Sequence, residues 1–126
     1  MRTCTVTVGI LVLMLALFAG TSFSDTRTIN IKVSPHVIAM NSKATWVTVH
    51  ADISYRSVDT TEKVTLNGLA ASLTFADDRG DLVAKFKMGL VKDMISPPRV
   101  IFTLEGQDKT GNTFEGTETI RVVSKG

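Results

Sequence analysis

Cysteine is almost absent from this chain. The only one, Cys4, lies near the start, in a stretch read below as a removable leader. Without it there is no disulfide framework, thiolate nucleophile, cysteine-ligated zinc or iron–sulfur cluster. Aromatic residues make up only 6%, and none interleave with basic runs, which argues against a stacking surface for nucleic acid. Charge of one sign is also lacking: 14 Lys and Arg face 12 Asp and Glu, for a net +2. That balance gives no electrostatic case for nucleic acid or an acidic membrane as partner. No G-x-S-x-G, no H-E-x-x-H and no phosphate-cradling glycine loop occurs.

What is present is a chain of 126 residues, 44% hydrophobic and 21% charged. That length accommodates one domain, and the composition is that of a globular chain rather than a disordered one. Residues 1–24 stand apart. Met1 and Arg2 give a positive start, Val6 to Ala19 form an apolar core, and Gly20, Thr21, Ser22 and Ser24 are small or polar. This is the layout of a secretory signal peptide, with Ser22 and Ser24 placing the cut before Asp25. The apolar core is shorter than the roughly 20 residues that span a bilayer. The expectation is a secreted or periplasmic protein with no membrane span after cleavage, its single domain covering residues 25–126.

Within 25–126 the dominant pattern has a period of two. Ile29, Ile31 and Val33 alternate with polar neighbours, as do Val47, Val49, Ala51 and Ile53, then Val64 and Leu66, then Ala71, Leu73 and Phe75. Leu82, Ala84 and Phe86 follow, then Val100, Phe102 and Leu104, and finally Ile120 and Val122. Alternation of this kind marks half-buried strands. Turn signals separate the runs: Ser34-Pro35, Asn67-Gly68, Asp77 to Asp81, Gly106 to Gly111 and Pro97-Pro98. Only Gly89 to Ser96 departs from alternation, and its Leu90, Val91, Met94 and Ile95 suit one or two helical turns. About seven strands, each with one apolar face, need a second sheet to cover them. The fold expected is all-β, an immunoglobulin-like two-sheet sandwich with one short helical turn. Trp46 alternates out of phase with Val47 and Val49, which places it outside the core.

Three stretches, taken in order, resemble a known kind of module. Leu66-Asn67-Gly68 ends a short strand, Asp77 to Phe86 is an acidic turn running into a strand, and Gly111 to Val123 closes the domain. The order is similar to that of an immunoglobulin-like repeat module of exported prokaryotic proteins, with Thr113-Phe114-Glu115-Gly116 and Ile120 as the most distinctive part. The resemblance implies a β-sandwich without catalytic residues, serving as spacer, scaffold or binding module. In that family the acidic turn is often richer in Asp and Gly, which suggests a cation there; here the turn is shorter and Arg79 interrupts it.

Four groups of residues could carry chemistry. Asp77, Asp78 and Asp81 bring three carboxylates to one turn, with Gly80 permitting a sharp bend, and calcium favours such oxygen-rich loops. The same spacing also suits a plain hairpin turn, since Asp and Gly are turn formers. Arg79-Gly80-Asp81 is a tripeptide that can engage integrin-type receptors. His50 and Asp52, two apart on one strand, share a face about 6–7 Å apart and could couple, while His36 follows Pro35 in a loop. Lys85 and Lys87 share a solvent face, where lysines guard sheets against unwanted pairing. The reading reached is a non-catalytic exported binding or structural module, not an enzyme, with no required cofactor and an unknown protein or extracellular ligand as partner. The alternative is a calcium-binding sandwich with the ion at Asp77, Asp78 and Asp81.

Overall fold

The computed structural model describes residues 25–126, so the expected leader over 1–24 lies outside the described residues. Ten strands and one short α-helix follow in order, with a single 3-10 turn, Tyr55–Ser57, after the fourth strand. They are β1 (Thr26–Thr28), β2 (Ile31–Ser34), β3 (Val37–Ala39), β4 (Trp46–Ser54), β5 (Thr65–Leu66), β6 (Leu69–Ala70), β7 (Leu73–Ala76) and β8 (Asp81–Lys87), then α1 (Met88–Lys92), β9 (Arg99–Gln107) and β10 (Thr113–Val123). The helix occupies the one segment whose apolar spacing was not two.

The strands form two sheets. One has six strands, in the order β1-β10-β9-β5-β6 with β3 also on β10; the other has four, in the order β2-β4-β8-β7. The protein is therefore an all-β two-sheet sandwich. Its centre is the antiparallel pair β9–β10 facing the antiparallel pair β4–β8. The inward side chains marked by alternation are Val47, Val49, Ala51 and Ile53 from β4, Leu82, Ala84 and Phe86 from β8, Phe102 and Leu104 from β9, and Ile120 and Val122 from β10, which adds Phe114 to them. Phe86, Phe102 and Phe114 are the largest fully buried side chains. Burying each apolar side chain of this size contributes about 1.5–3 kcal/mol, enough to hold a sandwich without cross-links.

Residues 26–39 lace the two sheets together. β1 and β3 lie parallel to opposite ends of β10, whereas β2, between them, crosses to pair antiparallel with β4. At the crossing the Ile29 amide donates to the Glu115 carbonyl at 2.8 Å. Gly116 makes room for this, because a Cβ there would sit 2.6 Å from the Ile29 carbonyl oxygen. Glu118 then reaches the edge of β2, its Oε1 accepting the Val33 amide at 2.7 Å.

Two placements differ from the alternation pattern. Leu73 and Phe75 do not face the core: they are 44% and 38% exposed, on the outer face of the four-stranded sheet. Val83, out of phase with the core-facing residues of β8, is nevertheless buried. The two facts have one cause. Phe75 is the register partner of Val83 and Leu73 that of Lys85, so the β7 side chains cover the outer face of β8.

Candidate functional site

The acidic turn joins β7 to β8. The Asp77 amide donates to the Asp81 carbonyl, and the Gly80 amide to the Asp77 carbonyl, each at 2.9 Å. Gly80 has φ 87°, the left-handed conformation that completes a three-residue hairpin loop with a bulge. The Asp77 carboxylate turns into this loop. Its Oδ1 accepts the Arg79 amide at 2.8 Å and the Asp81 amide at 2.9 Å. Those bonds, that from Asp81 first, hold its pKa below the usual carboxylate value. Asp81 is engaged differently, its Oδ2 lying 3.3 Å from Arg79 Nη2, so the Arg-Gly-Asp cation and carboxylate face each other. Asp78 is exposed at the tip.

The loop between β9 and β10 has the same construction. The Asp108 amide donates to the Asn112 carbonyl, the Gly111 amide to the Asp108 carbonyl, and Gly111 has φ 89°. Asp108 Oδ1 accepts the Thr110 and Asn112 amides, both at 3.0 Å, and the Thr110 hydroxyl at 2.6 Å. That hydroxyl bond is the main cause of the lowered Asp108 pKa. Asp77-Asp78-Arg79-Gly80-Asp81 and Asp108-Lys109-Thr110-Gly111-Asn112 are therefore two copies of one turn, D-x-x-G-[DN]. The second copy has Lys109 and Asn112 where the first has Asp78 and Asp81. The leading Asp and the Gly build the turn; the other two carboxylates are not needed for it. Among the described residues, no three His, Cys, Asp or Glu side chains converge as a metal-binding group.

His50 and Asp52 share the outer face of β4, as their spacing required. His50 Nδ1 lies nearer to the turn, 3.9 Å from Asp77 Oδ2, beyond hydrogen-bond reach. With Lys32, Asp52 and Arg79 these residues border a shallow groove of about 180 Å³. His36 is exposed between β2 and β3.

Farther along the same face, alternation brings Trp46 from β4 and Phe75 from β7 to either side of β8. The Lys85 ammonium lies between them, 5.8 Å from the Trp46 ring centroid and 5.9 Å from that of Phe75. Each such contact contributes about 0.5–1 kcal/mol where solvent reaches it. Leu73 extends the patch beside Lys85, and Lys87 pairs in register with Trp46. This cation–aromatic patch went unrecognised in the strand pattern. Its signal was the unbroken apolar run Leu82-Val83-Ala84, which needs cover on both faces.

Compared with protein-family models, with curated proteins and with solved structures, the chain finds no match.

Proposed function

We propose that this chain is a non-catalytic exported binding or structural module with an immunoglobulin-like sandwich, and that it works through the outer face of the four-stranded sheet. The observation that carries the reading is the patch of Trp46, Lys85, Phe75 and Leu73. It holds two of the five large hydrophobic side chains exposed among the described residues, ordered around a cation. Aromatic anchors of this kind are enriched where proteins bind, and a buried strand scaffold keeps them in place. Export accords with the leader pattern of residues 1–24 and with a core that requires no cysteine.

The test is affinity capture from an exported fraction on immobilised wild-type protein and on Lys85→Glu. The reading expects proteins or polysaccharides retained by wild type and lost from K85E, with both proteins folded by circular dichroism. Recovery at bead-control levels for wild type, together with a measurable hydrolase activity, reverses it.

A further inference from the structure

The four-stranded sheet ends in β2 on one side and β7 on the other, and the two edges are treated differently. The β2 edge is blocked where Glu118 takes the Val33 amide. On the β7 edge no side chain takes a strand amide in this way among the described residues, although Thr60, Glu62, Lys63 and Val64 border a groove with its Leu73 end. The strand contains no Pro and no Lys, and Leu73 and Phe75 stand exposed beside it. Unguarded edges pair with further strands. Asp77 is bonded to Asp81 in the closed hairpin, so alternation turns the backbone groups of Phe75 and Leu73 toward β8. The amides and carbonyls of Thr74 and Ala76 therefore point outward, toward solvent. The Ser72 amide is already taken by the Lys85 carbonyl at 2.8 Å.

We infer that the occupant of this edge is a second copy of the chain, joined antiparallel through β7 about a two-fold axis at Phe75. Backbone groups set the register. Centred on Phe75, Thr74 of each copy pairs with Ala76 of the other, giving four hydrogen bonds from groups that are all free. Centred on Thr74, the pairing would need the Ser72 amide, which is occupied. Charge agrees with the same arrangement. The end of β7 at Leu73 lies beside Lys63, Lys85, Lys87 and Glu62, while the other end carries Asp77, Asp78 and Asp81 with Arg79. Antiparallel pairing brings the acidic end of each copy to the basic end of the other. The two Phe75 rings meet across the axis on the outer face, with Leu73 flanking them, and the two four-stranded sheets become one. An isologous contact of this kind is the commonest route to a dimer. Strands this short give a small interface of the weak, concentration-dependent class, below about 1,200 Å².

The inference rests on the same reading of this region as an interaction surface, but its test is separate. In a Cys4→Ser background, F75C and L73C each supply the only thiol. In the proposed register Phe75 faces its own equivalent at a non-hydrogen-bonded position, where Cα atoms are about 4.5 Å apart and within disulfide reach, and no other position does so. The expected result is a covalent dimer from F75C under air oxidation, at least about tenfold faster than from L73C. Sedimentation of the wild type should move from monomer to dimer with concentration, and T74P, which removes an outward amide, should remain monomeric. F75K, at a half-exposed position, replaces T74P if the proline variant does not fold. A wild type that stays monomeric to millimolar concentration, equal oxidation rates for F75C and L73C, or undiminished association of both T74P and F75K overturns the inference. A monomer that still loses its captured partner on K85E leaves the proposed function standing, whereas a dimer that captures nothing sinks that function alone.

Discussion

Replacing Gly116 with Ala strikes the point where the two sheets are laced together. The added Cβ would lie 2.6 Å from the Ile29 carbonyl oxygen and 2.8 Å from Ile31 Cγ2. The first of these is backbone and cannot swing away. Relief requires the β1–β2 crossing to move off β10, which also lengthens the 2.8 Å bond from the Ile29 amide to the Glu115 carbonyl. Overpacking of this kind costs about 1–3 kcal/mol and a lost hydrogen bond about 1 more, so about 2–4 kcal/mol is expected in all. For a domain of this size that lowers the melting temperature by roughly 10–25 °C. The assay is thermal and urea unfolding followed by circular dichroism, with Gly89→Ala as control. Gly89 lies in α1 and a Cβ there would meet nothing within 4 Å, so Ala should leave stability equal or higher. A G116A protein melting within about 3 °C of wild type, where a few kcal/mol should show, would refute the account of the crossing.

Other outcomes follow from the turns. Asn67→Asp keeps the side-chain size and the tolerance for φ 48° but removes the Nδ2 donor that reaches the Ile101 carbonyl at 3.0 Å. A denaturant midpoint should show a loss of about 1–3 kcal/mol, the cost of setting a carboxylate against a carbonyl. Because Asp77 and Asp108 have pKa values below the ordinary 3.8, their contribution is complete above that value and disappears as pH falls through the lowered ones. The acid limb of the stability profile should therefore lie below pH 4 and shrink in a double Asp77→Asn, Asp108→Asn variant; an unchanged limb contradicts the turn geometry. Millimolar calcium should leave the melting temperature where it was, since Asp77 Oδ1 already accepts two amides and Asp81 faces Arg79. A rise of several degrees would restore the cation reading.

Much of the fold is written in period two. β4, β8 and β9 show their inward faces directly, because each lies mid-sheet with one side against the other layer. The exceptions sit at edges. Ala71, Leu73 and Phe75 alternate just as core strands do, yet an edge strand can turn its apolar side outward when the neighbouring strand needs cover there. Val83 reported that need without naming the residue that met it. β1 and β3 are too short for any pattern, and only their pairing with β10, some eighty-five residues away, defines them as strands. The candidate site was legible in part. Asp77 and Gly80 were visible as a turn, and the three carboxylates in it suggested a shared ligand; the structure adds that Asp77 is bonded within the turn and Asp81 faces Arg79, while Asp78 is exposed. The second copy of the turn, Asp108 to Asn112, which separates the turn-building Asp from the other two carboxylates, was also present in the sequence.

The lacing of residues 26–39 against β10 has a consequence for how the chain is made. The partner of β2 is near in sequence, but β1 and β3 find theirs only when the last strand has emerged, so the six-stranded sheet is the half that closes late. Completion waits for residues 113–123, and loop closure over that span makes assembly slow by comparison with helical domains of equal size. Until then the inward face of the four-stranded sheet, complete by Lys87, has no full second layer to cover it.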